Sequence, residues 1–197
     1  MPGPKAADQG REVRGRLLRV AAELIAERGW SAVSTRMLAE RAGVTPGLVH
    51  YHFSSVHALL TEAAIGTMRG LVEGMGPLLE QAGTAEEALD LMLATLDEHD
   101  GRDPMSLLFT ETYLAATRDE TLRRSLAEVI TAFRDRLASR LAAQGVAAPD
   151  QTAAVVAAAI DGLMLHRAFT PDLTAPAVAP VLRRLLDRRE LSSTTTG

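Results

Sequence analysis

The stretch at 39–53, AERAGVTPGLVHYHF, gathers side chains able to do chemistry into one short segment. Thr45, Pro46, Gly47, Leu48, His50, Tyr51 and His52 place hydroxyl, imidazole and phenol groups directly after a Thr-Pro-Gly run. Three chemistries suit such a set: metal ligation, acid–base catalysis, or hydrogen bonding to a polar surface such as nucleic acid. His50 and His52 are two residues apart, which turns them to different faces of a helix and away from a shared metal. No Ser–His–acid arrangement, nucleophile elbow or phosphate loop occurs in the chain, so catalysis finds no support. A second polar cluster, DEHDGRD at 97–103, falls at a predicted helix end. It lacks a helical His pair at i, i+4, and such residues are ordinarily solvated there; no metal site is expected. The surface for nucleic acid is the chemistry that remains.

Such a surface needs elements to present it. Ser34 is placed to cap a helix running to about Ala42, and Thr45 a following one with Pro46 at its permitted first position. Counting Thr35 as position one, Ala39 is fifth, Gly43 ninth and Val49 fifteenth. In a helix-turn-helix these positions have physical tasks. The small residue admits the second helix, the glycine makes a left-handed turn, and the β-branched residue packs beneath the outer helix. Leu38, Ala42 and Val44 fill the other inward positions. The residues from Thr45 to His52 that are left over face outward, at the end of a helix suited to a major groove. An ordinary helix hairpin has the same spacing, so both readings stand at this point.

The rest of the chain supplies only helices. Among its 197 residues there is no cysteine, which excludes disulfides, thiol catalysis and zinc–thiolate sites and fits a reducing compartment. Aromatic content is 4%, so the core must rest on Leu, Ala, Val, Ile and Met. Residues 11–28 carry Val13, Leu17, Val20, Ala21, Leu24 and Ile25 on one helical stripe, ended by Gly29. A fourth helix capped by Ser54 or Ser55 is expected to stop before Pro77. Further helices are read at 84–99, from after the GRDP break to about 116, and at 118–145, 150–169 and 176–190. No apolar run reaches membrane-spanning length, and no signal peptide precedes the first helix, which together imply a cytoplasmic protein. Charge is uneven: residues 1–60 hold eight basic and five acidic side chains, whereas the remainder holds thirteen and twenty. A basic N-terminal part on an acidic body points to the former as the part that meets a polyanion.

At residues 16–60 the chain resembles the DNA-binding region of TetR-family transcriptional regulators. The resemblance lies in the first helix, the Gly29-Trp30 link, Thr35-Arg36, AERAGVT at 39–45 and His52-Phe53. It implies an all-α fold of about nine helices, with an N-terminal three-helix helix-turn-helix domain and a helical ligand-binding and dimerisation domain. The corresponding division is a flexible lead at 1–10, the DNA-binding domain at 11–55, the helical body at 56–190 and a disordered tail at 191–197. It also implies roles: Ser34 as cap, Thr35 on phosphate, Arg36 on phosphate or a base, Pro46, Gly47 and Leu48 nearest the bases, and Tyr51 and His52 against the backbone. Two positions depart from the family. His50 stands where tyrosine is usual, and Val56, followed by His57, stands where a phosphate-binding lysine is usual.

The resemblance further implies a homodimer, a duplex operator as partner and a small-molecule effector, with no cofactor and no enzymatic activity. Residues 152–169 are rich in alanine, which suits close helix packing. With 179–191 they offer Val155, Ala158, Ala159, Gly162, Leu163, Val181, Leu182 and Leu185 as a dimer interface. Met68, Leu71, Met75, Met92, Met105, Phe109, Tyr113, Met164 and His166 are candidates to line an effector pocket, methionine being adaptable in shape. An apolar or amphipathic molecule would suit them. The expected function is a repressor released by its effector; an activator or ligand-independent regulator of the same fold, or an all-α enzyme or carrier, are the rivals.

Overall fold

The computed structural model describes residues 4–186, and within them the chain forms nine α-helices and two 3-10 turns without a strand. The helices are α1 (Pro4–Arg28), α2 (Thr35–Ala42), α3 (Pro46–His52), α4 (Val56–Gln81), α5 (Ala85–Asp97), α6 (Pro104–Ala116), α7 (Glu120–Ala143), α8 (Pro149–Arg167) and α9 (Ala175–Leu182). The 3-10 turns are Trp30–Ala32 and Arg183–Leu186. Packing divides the chain into two compact units. The first holds the residues up to Gly70 together with Asp103–Ala127, the second Leu71–Arg102 and the residues from Glu128 onward. The units therefore cut across the division expected at 55/56, because α6 and the start of α7 pack with the N-terminal helices.

In the first unit, the helical stripe of α1 becomes core. Leu17, Val20, Ala21, Leu24 and Ile25 are buried against Leu38, Ala39 and Ala42 of α2, Val49 of α3, Leu59 and Ala63 of α4 and Leu108 of α6. α1 begins at Pro4, earlier than the expected Arg11. Ala, Gln, Glu and Arg favour helix, and proline is harmless in a first turn, so the 4–10 segment extends the helix instead of forming a loose lead. In the second unit, Leu89, Met92, Leu93 and Leu96 of α5 meet Leu137 and Leu141 of α7, Ala153 and Val156 of α8, and Leu182 and Leu186.

Two expected helix ends move. α4 continues through Pro77 to Gln81. A proline in a helix interior costs about 3 kcal/mol. Here the continuation carries Leu79 into the core at 5% exposure, and burying a leucine recovers about 1.5–3 kcal/mol. α9 ends at Leu182 and passes into a 3-10 turn, where an uninterrupted helix to 190 was expected; residues 187–190 and the tail at 191–197 lie outside the described residues. Ser55, not Ser54, caps α4, its Oγ accepting from the Ala58 N–H at 3.0 Å.

The joint between α2 and α3 rests on Gly43, which has φ +64° and ψ +38°. Its N–H closes on Ala39 and Glu40 carbonyls, and a Cβ built there would meet nothing within 4 Å. Space is thus available and only the backbone conformation demands glycine. Replacing Gly43 by Val should cost about 1–3 kcal/mol, seen as a Tm several degrees lower. Gly43→Asn should lose much less, since Asn tolerates this conformation. An unchanged Tm in the Val variant would refute the turn.

Candidate DNA-binding surface

α2 and α3 are short helices held from both ends by local chemistry. The Ser34 hydroxyl accepts from the Met37 N–H (3.4 Å) and the Thr45 hydroxyl from the Leu48 N–H (3.3 Å). Pro46 occupies the first turn of α3. Val49 is buried at 1% exposure and pins α3 to the core, which turns His50 and Tyr51 to solvent. Tyr51 is 80% exposed, a large apolar ring left in water, and stands edge-on to His52 with ring centroids 5.1 Å apart. Thr45, Pro46 and Gly47 are exposed and Leu48 and His52 half-buried. The outward set read from the sequence is therefore brought together on one short helix, as a surface of donors, acceptors and aromatic edges.

The basic residues near this surface divide by whether their charge is already spent. Arg41 is matched to Glu27 through two hydrogen bonds, of 2.9 and 2.8 Å. This bidentate contact holds the Glu27 carboxyl below the usual carboxylate range. Arg14 pairs with Glu62 at 2.6 Å and lies over the Phe53 ring, 4.8 Å from its centroid. Arg36, in the first turn of α2, is exposed and has no ion-pair partner among the described residues. It is the cation of α2 that is free for a phosphate. Arg36→Ala should weaken duplex binding about ten-fold and reduce the slope of log K against log salt by about one, with Tm unchanged. Equal affinity for wild type and variant at moderate salt would remove α2 from the interface.

Val56 packs half-buried against the core of the first unit, and the neighbouring His57 is not free to replace a lysine. Its Nε2 lies 2.8 Å from Asp119 Oδ2, and Trp30 meets its ring edge-on at 6.2 Å. Asp119 also caps α7, its Oδ1 accepting from the Leu122 N–H at 2.8 Å. A second tie was not legible in the sequence: the Trp30 backbone N–H donates to Glu111 Oε2 of α6 at 2.8 Å. Gly29, with φ +83°, brings the backbone so near that a Cβ there would lie 3.2 Å from the same oxygen. The α1–α2 joint and the start of α4 are thereby fastened to α6 and α7 within the first unit.

His50 remains exposed in the position that carries tyrosine in the resembling family. Histidine, like tyrosine, carries a hydrogen-bonding tip that can reach a phosphate oxygen. His50→Ala should weaken duplex binding by about 1 kcal/mol, roughly five-fold, with Tm unchanged. Equal affinity for wild type and variant would separate His50 from the phosphate.

The remaining candidates are distributed over both units. Met68 is buried, and Met105, Phe109 and Tyr113 half-buried, in the first. In the second, Met92 is core, Met75 and Met164 pack against it, Leu71 is half-buried and His166 is exposed. Of the interface candidates, Val155 (52% exposed), Ala158, Val181 (60%) and Leu185 (40%) face solvent. Ala159, Gly162 and Leu163 are half-buried. Leu182 departs from expectation: it belongs to the chain's own core, on the same helical stripe of α9 as Ala175, Val178 and Ala179, with Leu186 next along it. Asp97 is exposed at the end of α5, as expected, and also pairs with the buried Arg167 and accepts from the Ala175 N–H at 2.9 Å.

Residues 17–63 match the family model of bacterial regulatory proteins of the tetR family, and residues 83–188 that of the tetracyclin repressor-like C-terminal domain. An HTH-type transcriptional regulator of Mycobacterium tuberculosis is 25% identical over 166 residues, which cover 81% of this chain and 85% of that protein. KstR2 of the same species, an HTH-type transcriptional repressor, is 30% identical over 94 residues, 47% of each chain. Among solved structures, a transcriptional regulator from Streptomyces coelicolor A3(2) is similar with a TM-score of 0.76 at 29% identity, covering 89% of this chain and 98% of that one. No helix among the described residues is long and apolar enough to cross a membrane.

Proposed function

Because this chain belongs to the TetR family of DNA-binding transcriptional regulators, which are not enzymes, we propose that it is a homodimeric cytoplasmic repressor released from its operator by a small organic molecule. The observation that carries the reading is α3. It is a seven-residue helix capped by Thr45 and anchored by Val49, with His50 and Tyr51 facing water beside an uncommitted Arg36. Such a helix enters a major groove with its N-terminal residues at the base edges. Phosphate contacts from Thr35 and Arg36 set the register, and Pro46, Gly47 and Leu48 approach the bases. Tyr51 and His52 complete the contact with the backbone.

The exposed apolar residues of α8 and α9 support a two-fold dimer. Two copies of α3 then read half-sites about 34–36 Å apart on one face of the duplex. An effector that binds better to the conformation with a different spacing lowers operator affinity by population shift. Its binding belongs to the helical body. The similarity to KstR2, a repressor, supports repression over activation.

A reporter driven by the promoter upstream of the protein's own coding sequence tests the direction of control. Expression of the intact protein is expected to lower reporter output, and the Arg36→Ala variant to restore it. Output that rises with the protein and falls with the variant would make it an activator.

A further inference from the structure

Within the second unit, a groove of about 680 Å³ lies between the C-terminal halves of α4 and α7. Arg136 and Arg140 stand one turn apart on the α7 side, with Ser139 next to them. On the α4 side Gly76 and Pro77 keep the wall low, and Leu79 adds an apolar surface. The two guanidiniums are largely unspent. Arg136 donates one hydrogen bond, to the Val72 carbonyl at 3.0 Å. Arg140 makes no hydrogen bond or ion pair among the described residues, and its Nε is buried without an acceptor. A guanidinium carries five donors and accepts nothing, so the group that completes this site is an acceptor of negative charge. Its fork matches a carboxylate.

The same groove sets an upper limit on that charge. Glu73, Glu80 and Asp135 line it and form no ion pair with either arginine. Three carboxylates beside two guanidiniums leave the groove no net positive charge, which disfavours a polyanion such as a nucleotide or pyrophosphate more strongly than a single carboxylate held by the guanidinium forks. Gly76, Pro77, Leu79 and Ala143 leave an apolar path for the rest of the molecule.

We propose that this groove binds a monoanionic amphipathic carboxylate, its carboxylate between Arg136 and Arg140 and its apolar body against Pro77, Leu79 and Ala143. The inference rests on the effector-released reading above and names the effector's chemical class.

The test uses the full chain and three probes: decanoate, 1-decanol and inorganic pyrophosphate. Binding is read by calorimetry and by the Arg140 Nε–Hε resonance in a nitrogen-15 correlation spectrum. Decanoate is expected to move that resonance and to bind, whereas decanol and pyrophosphate leave it in place. Arg136→Met and Arg140→Met should each weaken decanoate binding about ten-fold or more. Glu80→Gln should not weaken it. A still resonance at millimolar decanoate, unchanged affinity in both arginine variants, or pyrophosphate binding as tightly as decanoate would each overturn the site. The resonance is followed in the wild type, so a variant that fails to fold does not remove the test. Operator affinity in the same samples separates the two readings. Decanoate bound at Arg140 with operator affinity unchanged would refute the effector role, and operator binding without any decanoate binding would refute the groove alone.

Discussion

Replacing Arg167 by Met is expected to destabilise the second unit by about 3 kcal/mol. The side chain is 6% exposed, and burial lowers its pKa below the ordinary arginine value. It is nonetheless fully engaged: Nη2 pairs with Asp97, Nη1 donates to the Leu96 and His99 carbonyls, and Nε donates to the Leu173 carbonyl at 2.8 Å. One guanidinium thus closes the C-terminal end of α5 and fastens the segment after α8. Methionine fills much of the volume but leaves these carbonyls without their donor and Asp97 without its countercharge. Removing one partner of a buried pair costs about 3–5 kcal/mol. The lower value applies because Asp97 keeps 33% of its side chain in water. A drop in Tm of about 6–12 °C should follow. Asp97→Asn should lose less, because an amide oxygen still accepts from Arg167 and from the Ala175 N–H. Equal melting of the wild type and Arg167→Met would show that the network contributes nothing net.

In the proposed homodimer, charge placed on the exposed residues of α8 and of the 3-10 turn after α9 is expected to separate the two chains without unfolding either. Ala158 is exposed and Leu185 is 40% exposed, so arginine at either site is solvated in a single chain. In a two-fold interface each charge would be buried twice, once per subunit. An unpaired buried charge costs about 3 kcal/mol or more, at least a 100-fold loss in dimer affinity. Sedimentation should then give monomers for Ala158→Arg and Leu185→Arg, with far-UV circular dichroism and Tm close to wild type. Operator affinity should fall as well, since a monomer reads one half-site. Dimers from both variants would move the interface off this face. Leu182→Arg is a poor probe of the same question, because Leu182 is core and its variant would unfold the chain.

What could be read from the sequence followed from how local the signals are. Gly43, Thr45 and Pro46 act through backbone conformation and hydrogen bonds within four residues, so α2, α3 and their joint were legible. The α1 stripe was legible because its burial follows the helical period alone. Pro77 misled, since the local cost of proline is largely offset by the burial of Leu79 in a core shared with Leu137 and Leu141, far along the chain. Asp97 and Arg167 are 70 residues apart, and Trp30 and Glu111 are 81 apart. No spacing rule connects such pairs; they exist only once the helices have packed. Val155 and Leu182 look equally apolar in sequence, and which of them faces water and which the core is set only once the helices have packed. Around α3, the exposure of Thr45, Pro46, Gly47, His50 and Tyr51 was legible. Which cations were already spent on Glu27 and Glu62 was not.

The most direct measurement is a fluorescence-anisotropy titration of the duplex upstream of the protein's own coding sequence, against a scrambled duplex of equal length, at several salt concentrations. Saturable binding of one dimer is predicted, at least about 1,000-fold tighter than to the scrambled duplex, with affinity falling steeply as salt rises. Equal affinity for the two duplexes, or binding indifferent to salt, would contradict the assignment of α2 and α3 as the surface that reads an operator.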